Sequence, residues 1–285
     1  MVSIPNTLQL PPRIEITTIK TMRGDFAAHE MRPVGPKRGH VLLIPGFTGS
    51  KEDFTPILAP LSSHGWHVTA YDQRGQWETP GMPTDDFSIE GFAADALSIR
   101  DVQAGDQPSF VVGHSFGGLV AQYTVLAKPE AWLGLGLLCS GPGALGETEM
   151  RPLDAFIKAV DQVGLHKLHE IREAMAGAER PVDIARFVAK RFTSNSPVSL
   201  KSIAQHLLVA PDRFDEVVAT NVPIWVGRGE SDDAWPHDVQ AQMAERAGTE
   251  IVIISKSGHS PAIDNPEDTV EEISAFFDRV LATNI

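Results

Sequence analysis

The strongest constraint on how this chain folds is an alternation of two patterns. Short continuous apolar runs lie at residues 41–44, 66–71, 110–112, 132–138, 224–226 and 251–254, each bounded by Gly, Pro, Asp or Ser. Runs that are continuous, not alternating, predict strands buried on both faces, as in a parallel sheet. Between them, residues 54–61, 92–102, 116–127, 239–247 and 270–281 carry apolar side chains at helical spacing. Strand and helix in alternation predict an α/β fold, with right-handed crossovers and helices flanking a mostly parallel central sheet. Ahead of this, residues 14–19 and 26–32 flank a turn at Arg23-Gly24-Asp25 and predict an antiparallel hairpin at one sheet edge.

The alternation stops between residues 141 and 220. Helical patterns at 152–163, 166–175, 182–192 and 200–208 follow one another there, separated by Gly164, Gly177, Pro181 and the Ser194-Asn195-Ser196-Pro197 tetrapeptide. The expected organisation is a core of residues 1–140 and 221–285 with an all-helical cap inserted at 141–220. Such an insertion belongs above the carboxyl ends of the strands, where open sheets bind ligands. A chain of 285 residues has length enough for both parts.

Composition removes several alternatives. The lone cysteine, Cys139, cannot form an internal disulfide. A net charge of −13 argues against nucleic acid as a partner and disfavours anionic substrates approaching a cleft. No apolar run approaches the ~18 residues of a membrane helix. Residues 1–12 lack the basic and apolar regions of a signal peptide, so the expected compartment is the cytoplasm.

Chemistry concentrates at Phe110-Val111-Val112-Gly113-His114-Ser115-Phe116-Gly117-Gly118, which reads as strand, sharp turn and helix. Within it lies G-x-S-x-G. A nucleophilic serine must stand on a strained turn with its hydroxyl in a cleft, and small residues two positions away let strand and helix approach. The helix start supplies N–H groups where an oxyanion would develop. Serine needs a base, and the base needs an orienting carboxylate. The loop after strand 224–226 offers Glu230, Asp232 and Asp233, and the loop after the last strand carries His259. The order serine, acid, histidine is that of the α/β-hydrolases.

On these residues the core resembles the α/β-hydrolase fold family, through serine esterase-like and lactonase-like members with a helical cap. Pro45-Gly46-Phe47-Thr48-Gly49-Ser50 matches the family's oxyanion loop, with Pro45 in place of the usual bracing histidine. Gly229, Asp232 and Pro236 match the acid loop G-x-x-D-x-x-x-P, which favours Asp232 over Asp233 and Glu230. Gly258-His259 matches the final loop. The resemblance implies Ser115 as nucleophile, His259 as base then acid, and Asp232 as orienter. It implies backbone N–H groups of Phe47 and Phe116 as the oxyanion hole. His114 is expected to fill space under the elbow. Asp72-Gln73-Arg74-Gly75-Gln76-Trp77-Glu78-Thr79 resembles the family loop D-x-R-G-x-G-x-S, with Trp77 expected at the pocket rim. Phe156 and Trp235 are further candidates for substrate contact, against the alternatives of packing within the cap and exposure on the loop.

No metal-ligand spacing, dinucleotide fingerprint or P-loop occurs, so neither metal nor cofactor is expected. The implied activity is hydrolysis of a small-molecule carboxylic ester or lactone. Carbon–carbon bond hydrolysis, thioester hydrolysis and lyase chemistry remain alternatives on the same scaffold. A non-hydrolytic binding or biosynthetic accessory protein is the alternative of a different class.

Overall fold

A computed structural model describes residues 3–107, 109–145, 147–177 and 180–283. The sheet has eight strands: β1 (Glu15–Thr21), β2 (Gly24–Met31), β3 (Gly39–Ile44), β4 (Trp66–Tyr71), β5 (Ser109–His114), β6 (Trp132–Leu138), β7 (Ile224–Gly229) and β8 (Val252–Ile254). Their spatial order is β1-β2-β4-β3-β5-β6-β7-β8. β1 pairs antiparallel with β2, and β2 antiparallel with β4; every later pairing is parallel. The continuous apolar runs are explained by position. β3, β4 and β5 are buried along their whole length because helices cover both faces. β8, at the edge, leaves Ile253 44% exposed, so half of its run faces solvent.

The helices are α1 (Thr55–Ser63), α2 (Ile89–Ala104), α3 (Phe116–Ala127), α4 (Glu147–Ala176), α5 (Val182–Thr193), α6 (Pro197–Val209), α7 (Phe214–Ala219), α8 (His237–Arg246), α9 (Pro261–Asp264) and α10 (Pro266–Thr283). On one face of the sheet, Ile57, Leu58 and Leu61 of α1 meet Ile273, Phe276 and Phe277 of α10. Phe277 stacks on Phe110 of β5 with ring centroids 4.0 Å apart. On the other face, α2, α3, α7 and α8 bury Phe92, Val120, Phe214 and Met243. Each fully buried aromatic contributes about 2–3 kcal/mol.

Between β6 and β7 the described chain is helical. α4 bends at Gly164, whose φ of +72° no helix accommodates, and Gly is the residue that reaches it cheaply. Ser196 caps α6 by accepting from the Ser199 N–H, and Pro197 occupies the first turn, where no N–H is needed. Val160, Leu165, Leu168, Phe192 and Leu200 form a small core of their own. Phe47 packs against both this cluster and the main core, joining the two. The short helix α7 behaves differently, burying Phe214 and Val217 in the main core beside α3. Among the described residues, no helix is long and apolar enough to cross a membrane.

Candidate active site

β5 ends at His114, and α3 begins at Phe116, leaving Ser115 alone to turn the chain. Its φ of 55° and ψ of −124° are strained for a non-glycine residue. Neighbouring backbone holds it there. The Ser115 N–H donates to the Leu138 carbonyl at 3.0 Å, and its own carbonyl accepts from Gly118 N at 2.8 Å and from Ser140 Oγ at 2.9 Å. The flanking glycines are required by contact: a Cβ on Gly113 would lie 2.2 Å from the Gly117 carbonyl oxygen, and one on Gly117 2.2 Å from that of Ile44.

The loops after β7 and β8 bring Asp232 and His259 together. His259 Nδ1 donates to Asp232 Oδ1 at 2.7 Å. That bond fixes the tautomer and leaves Nε2 as the basic nitrogen. Asp232 also accepts from Gln240 Nε2 at 2.8 Å and from the Ala234 N–H at 3.2 Å. Burial alone would raise the carboxyl, but His259 and these donors outweigh it and hold its pKa at about 2. Asp233 is exposed, and Glu230 accepts from the Lys256 N–H at 3.1 Å instead of meeting His259. Ser115 and His259 line one cavity. Ser115 Oγ makes no hydrogen bond among the described residues; such contacts often tighten only with substrate present.

His114 lies beneath the pair. Its Nε2 donates to the His259 carbonyl at 2.5 Å, and its ring centroid is 4.9 Å from that of His259. Burial, then the neighbouring His259 charge, lowers its pKa to about 3, so it stays neutral and supports the histidine loop. Gln240 was not anticipated from sequence. The available signal is a polar residue on the buried face of α8, next to Met243 and Ala244.

The oxyanion-type loop runs beside the elbow. A Cβ on Gly46 would stand 2.9 Å from Ser115 Cβ. With proline at position 45, other groups brace the loop. Gln73 Nε2 donates to the Pro45 carbonyl at 2.8 Å. Asp53 Oδ2 accepts from the Ser50 N–H at 3.1 Å. From α5, Arg191 reaches across with Nη1 to Asp53 Oδ1 at 2.7 Å and to Ser50 Oγ at 3.1 Å, while Nη2 donates to the Ser3 carbonyl. Arg191 is 1% exposed. It had no motif to announce it.

The cavity measures about 90 Å³. Gly46, Phe47, Leu153, Leu207, Trp235 and Ser3 line it beside Ser115 and His259. Ser3 Oγ lies 2.8 Å from Ser260 Oγ, so the segment near residue 3 closes one side. Trp235 is buried in the wall, its Nε1–H donating to the Gly143 carbonyl at 3.3 Å. Phe156 stands one layer back, edge-on to Phe47 at 5.1 Å. The Phe116 ring turns into the core against Phe92 at 5.6 Å. Trp77 departs from its expected place at the rim. Its backbone sits at φ 48°, its Nε1–H donates to Glu52 at 3.3 Å, and its ring packs on Phe187 of α5 at 5.6 Å. It ties the insertion to the core, flanked by Lys51 and Lys190, because that side offers both an acceptor and cations for its ring.

Tertiary structure also gathers His114, Cys139 and His259, with one donor atom of each within 4.8 Å of the others. One nitrogen of each ring and the sulfur already have partners there. His114 Nε2 and His259 Nδ1 are both engaged, and Cys139 Sγ accepts from the Gly229 N–H at 3.4 Å. Burial also pushes the Cys139 thiol well up, away from the thiolate that binds metals.

A serine on a strained strand-to-helix turn, beside a histidine–carboxylate pair, on this sheet order, defines an α/β-hydrolase type of site. The chain belongs to the alpha/beta hydrolase family, whose description matches residues 41–272. Over 272 residues it is 26% identical to a proline iminopeptidase of Saccharolobus solfataricus, covering 86% of this chain and 87% of that protein. Over 133 residues it is 35% identical to a protein of Variovorax paradoxus provisionally named the carbamate hydrolase RutD. That match covers 46% of this chain and 48% of the relative, about half the length of each. A thermophilic esterase from Thermogutta terrifontis superposes with a TM-score of 0.75 at 20% identity, over 93% of this chain and 99% of that one.

Proposed function

We propose that the chain is a serine hydrolase that cleaves a small carboxylic ester or lactone through an acyl-enzyme. The observation that carries this reading is the 2.7 Å bond from His259 to Asp232 beside the strained Ser115, on one cavity. Ser115 Oγ attacks the acyl carbonyl while His259 Nε2 takes its proton. Asp232 keeps the imidazole oriented and stabilises the imidazolium. The Phe47 and Phe116 N–H groups receive the oxyanion, each such donor being worth about 10²–10³ in rate. His259 then protonates the leaving alcohol. Water, deprotonated by His259, cleaves the acyl-enzyme and restores Ser115. No bound group beyond these residues is needed for the sequence of steps.

The division into a core of residues 1–140 and 221–285 and a cap of 141–220 belongs to the same proposal, with α4 and α6 over the cavity. A cavity of about 90 Å³ suits a short acyl group, and Leu153, Leu207 and Trp235 suit an apolar one. A second reading, removal of an N-terminal proline, is favoured by the long match to a proline iminopeptidase. The described cavity lining holds no carboxylate to receive a peptide ammonium, so the ester reading ranks first.

The test is a profile of acyl chain length, lactones, thioesters and a prolyl anilide, with Ser115→Ala as control. Short esters or lactones should be turned over, with loss of at least about 10³-fold in Ser115→Ala and unchanged folding. Wild-type rates in that variant, or no labelling of Ser115 by a fluorophosphonate, would sink the assignment.

A further inference from the structure

A second cavity, of about 200 Å³, lies on the other side of the oxyanion-type loop. Residues that share a wall connect the two. Phe47 and Ser3 line the cavity at Ser115, and their chain neighbours Thr48 and Ile4 line the second. Its lining is unusual for a chain of net charge −13: Arg172, Arg180 and Arg191 face it with one carboxylate, Glu173.

Two of these arginines are already satisfied. Arg191 is paired with Asp53, and Arg180 with Glu173. Arg172 makes no hydrogen bond or ion pair among the described residues. Its guanidinium packs on the Phe192 ring, 4.9 Å from the centroid. Stacking occupies a guanidinium's face and leaves its N–H edge free, the geometry that accepts a planar carboxylate. Burial lowers the Arg172 pKa, with the Glu173 charge opposing the shift in part. A second, independent observation concerns Thr48 in the same wall. Thr48 is 1% exposed, and its Oγ1 is buried with no hydrogen-bond partner. Buried polar groups are nearly always paired, so an orphan hydroxyl marks a missing acceptor or donor. His169 also lines the wall, its ring centroid 5.9 Å from that of Phe192, and the remaining surface is apolar, from Ile4, Val188 and Phe192.

We propose that this cavity binds a small organic carboxylate. Arg172 receives the headgroup edge-on, the Thr48 hydroxyl donates to it, and a short hydrocarbon stem lies on Ile4, Val188 and Phe192. At ~30 Å³ per water the cavity has room for several waters, which is sufficient for such a ligand. The carboxylate has two sources: a free acid, or the far end of an ester that also reaches Ser115. This goes beyond the hydrolase reading, because binding here requires no turnover.

The test is calorimetric titration of the full chain with sodium hexanoate in phosphate-free buffer. Wild type should bind saturably, and Arg172→Gln should bind about tenfold or more weakly. Ser115→Ala should bind like wild type, which separates the site from the catalytic cavity. Arg186→Gln removes the same charge from an exposed position of α5 and should also bind like wild type. Arg172→Lys keeps the charge without the fork and should fall between, so a folding defect in Arg172→Gln cannot mimic the result. Absence of wild-type binding, or equal binding by Arg172→Gln, overturns the proposal. Turnover then assigns the source. If the carboxylate belongs to the substrate, Arg172→Gln lowers kcat/KM for monoethyl succinate and spares ethyl butyrate. If it is a separate ligand, hexanoate alters ethyl butyrate hydrolysis in wild type and not in Arg172→Gln. Because calorimetry reads binding alone, a chain without esterase activity could still pass or fail it.

Discussion

The elbow at Ser115 and the loop at Phe47 face each other across one cavity, yet different forces hold them. The elbow is held by backbone against backbone: Gly113 and Gly117 bring β5, α3 and the end of β3 within distances that no Cβ permits. The loop is held by side chains, through Asp53 below it and Arg191 arriving from the insertion. Steric restraint of the first kind is local and needs no partner from elsewhere. The second kind makes the loop at Phe47 depend on how α5 is seated.

Five variants would break or sharpen this contrast. Gly117→Ala should cost about 4 kcal/mol or more, because the new methyl meets the Ile44 and Pro45 carbonyls rather than a movable side chain. Urea denaturation reads this, and a loss below about 1 kcal/mol would show the elbow to be yielding. Arg191→Met should cost about 3 kcal/mol by leaving Asp53 buried without its cation, and should lower kcat about 10²-fold through the loop. The double variant Arg191→Met/Asp53→Leu should recover most of the stability and little of the kcat. Recovery of both together would remove the loop from the explanation.

A pH effect of smaller size distinguishes the elbow side. His114 has a folded pKa near 3 against an ordinary 6.5, so below pH 6.5 the unfolded chain binds a proton that the folded chain refuses. Stability therefore falls as pH drops from 6.5 towards 3. Replacing His114 by Asn should flatten that slope by about 1.4 kcal/mol per pH unit. His29 and His40, also buried and held neutral, keep the remaining slope. An unchanged slope in His114→Asn would mean that this histidine is protonated in place. The smallest effect belongs to Trp77→Ala. Loss of its contacts with Lys51, Lys190 and Glu52 should cost ~1 kcal/mol, with KM for a short ester within about twofold of wild type. A large rise in KM would return Trp77 to the substrate's path.

Much of the fold was legible because its strands lie inside a covered sheet. The apolar runs at 66–71 and 132–138 coincide with β4 and β6. Gly164 broke the pattern of α4 where the backbone bends. The helix α7 escaped because Phe214 and Val217 in six residues make no periodic stripe, though both reach the main core. The hairpin of β1 and β2 was legible, but the pairing of β2 with β4 was not, since nothing local selects the next strand.

By itself the sequence determined the strand–helix alternation, the elbow at Ser115 and the order of serine, acid and histidine. These follow from local sterics and hydrophobic period, which are written in consecutive residues. Tertiary structure alone decided that Gln240 supports the Asp232–His259 pair, that the His114 ring bonds to the His259 carbonyl, and that Trp77 packs on α5. It alone set Arg191 behind the oxyanion-type loop and left Arg172 unpaired beside it. Such pairs join residues far apart in the chain through single side chains, and a single side chain carries no period from which its partner can be read.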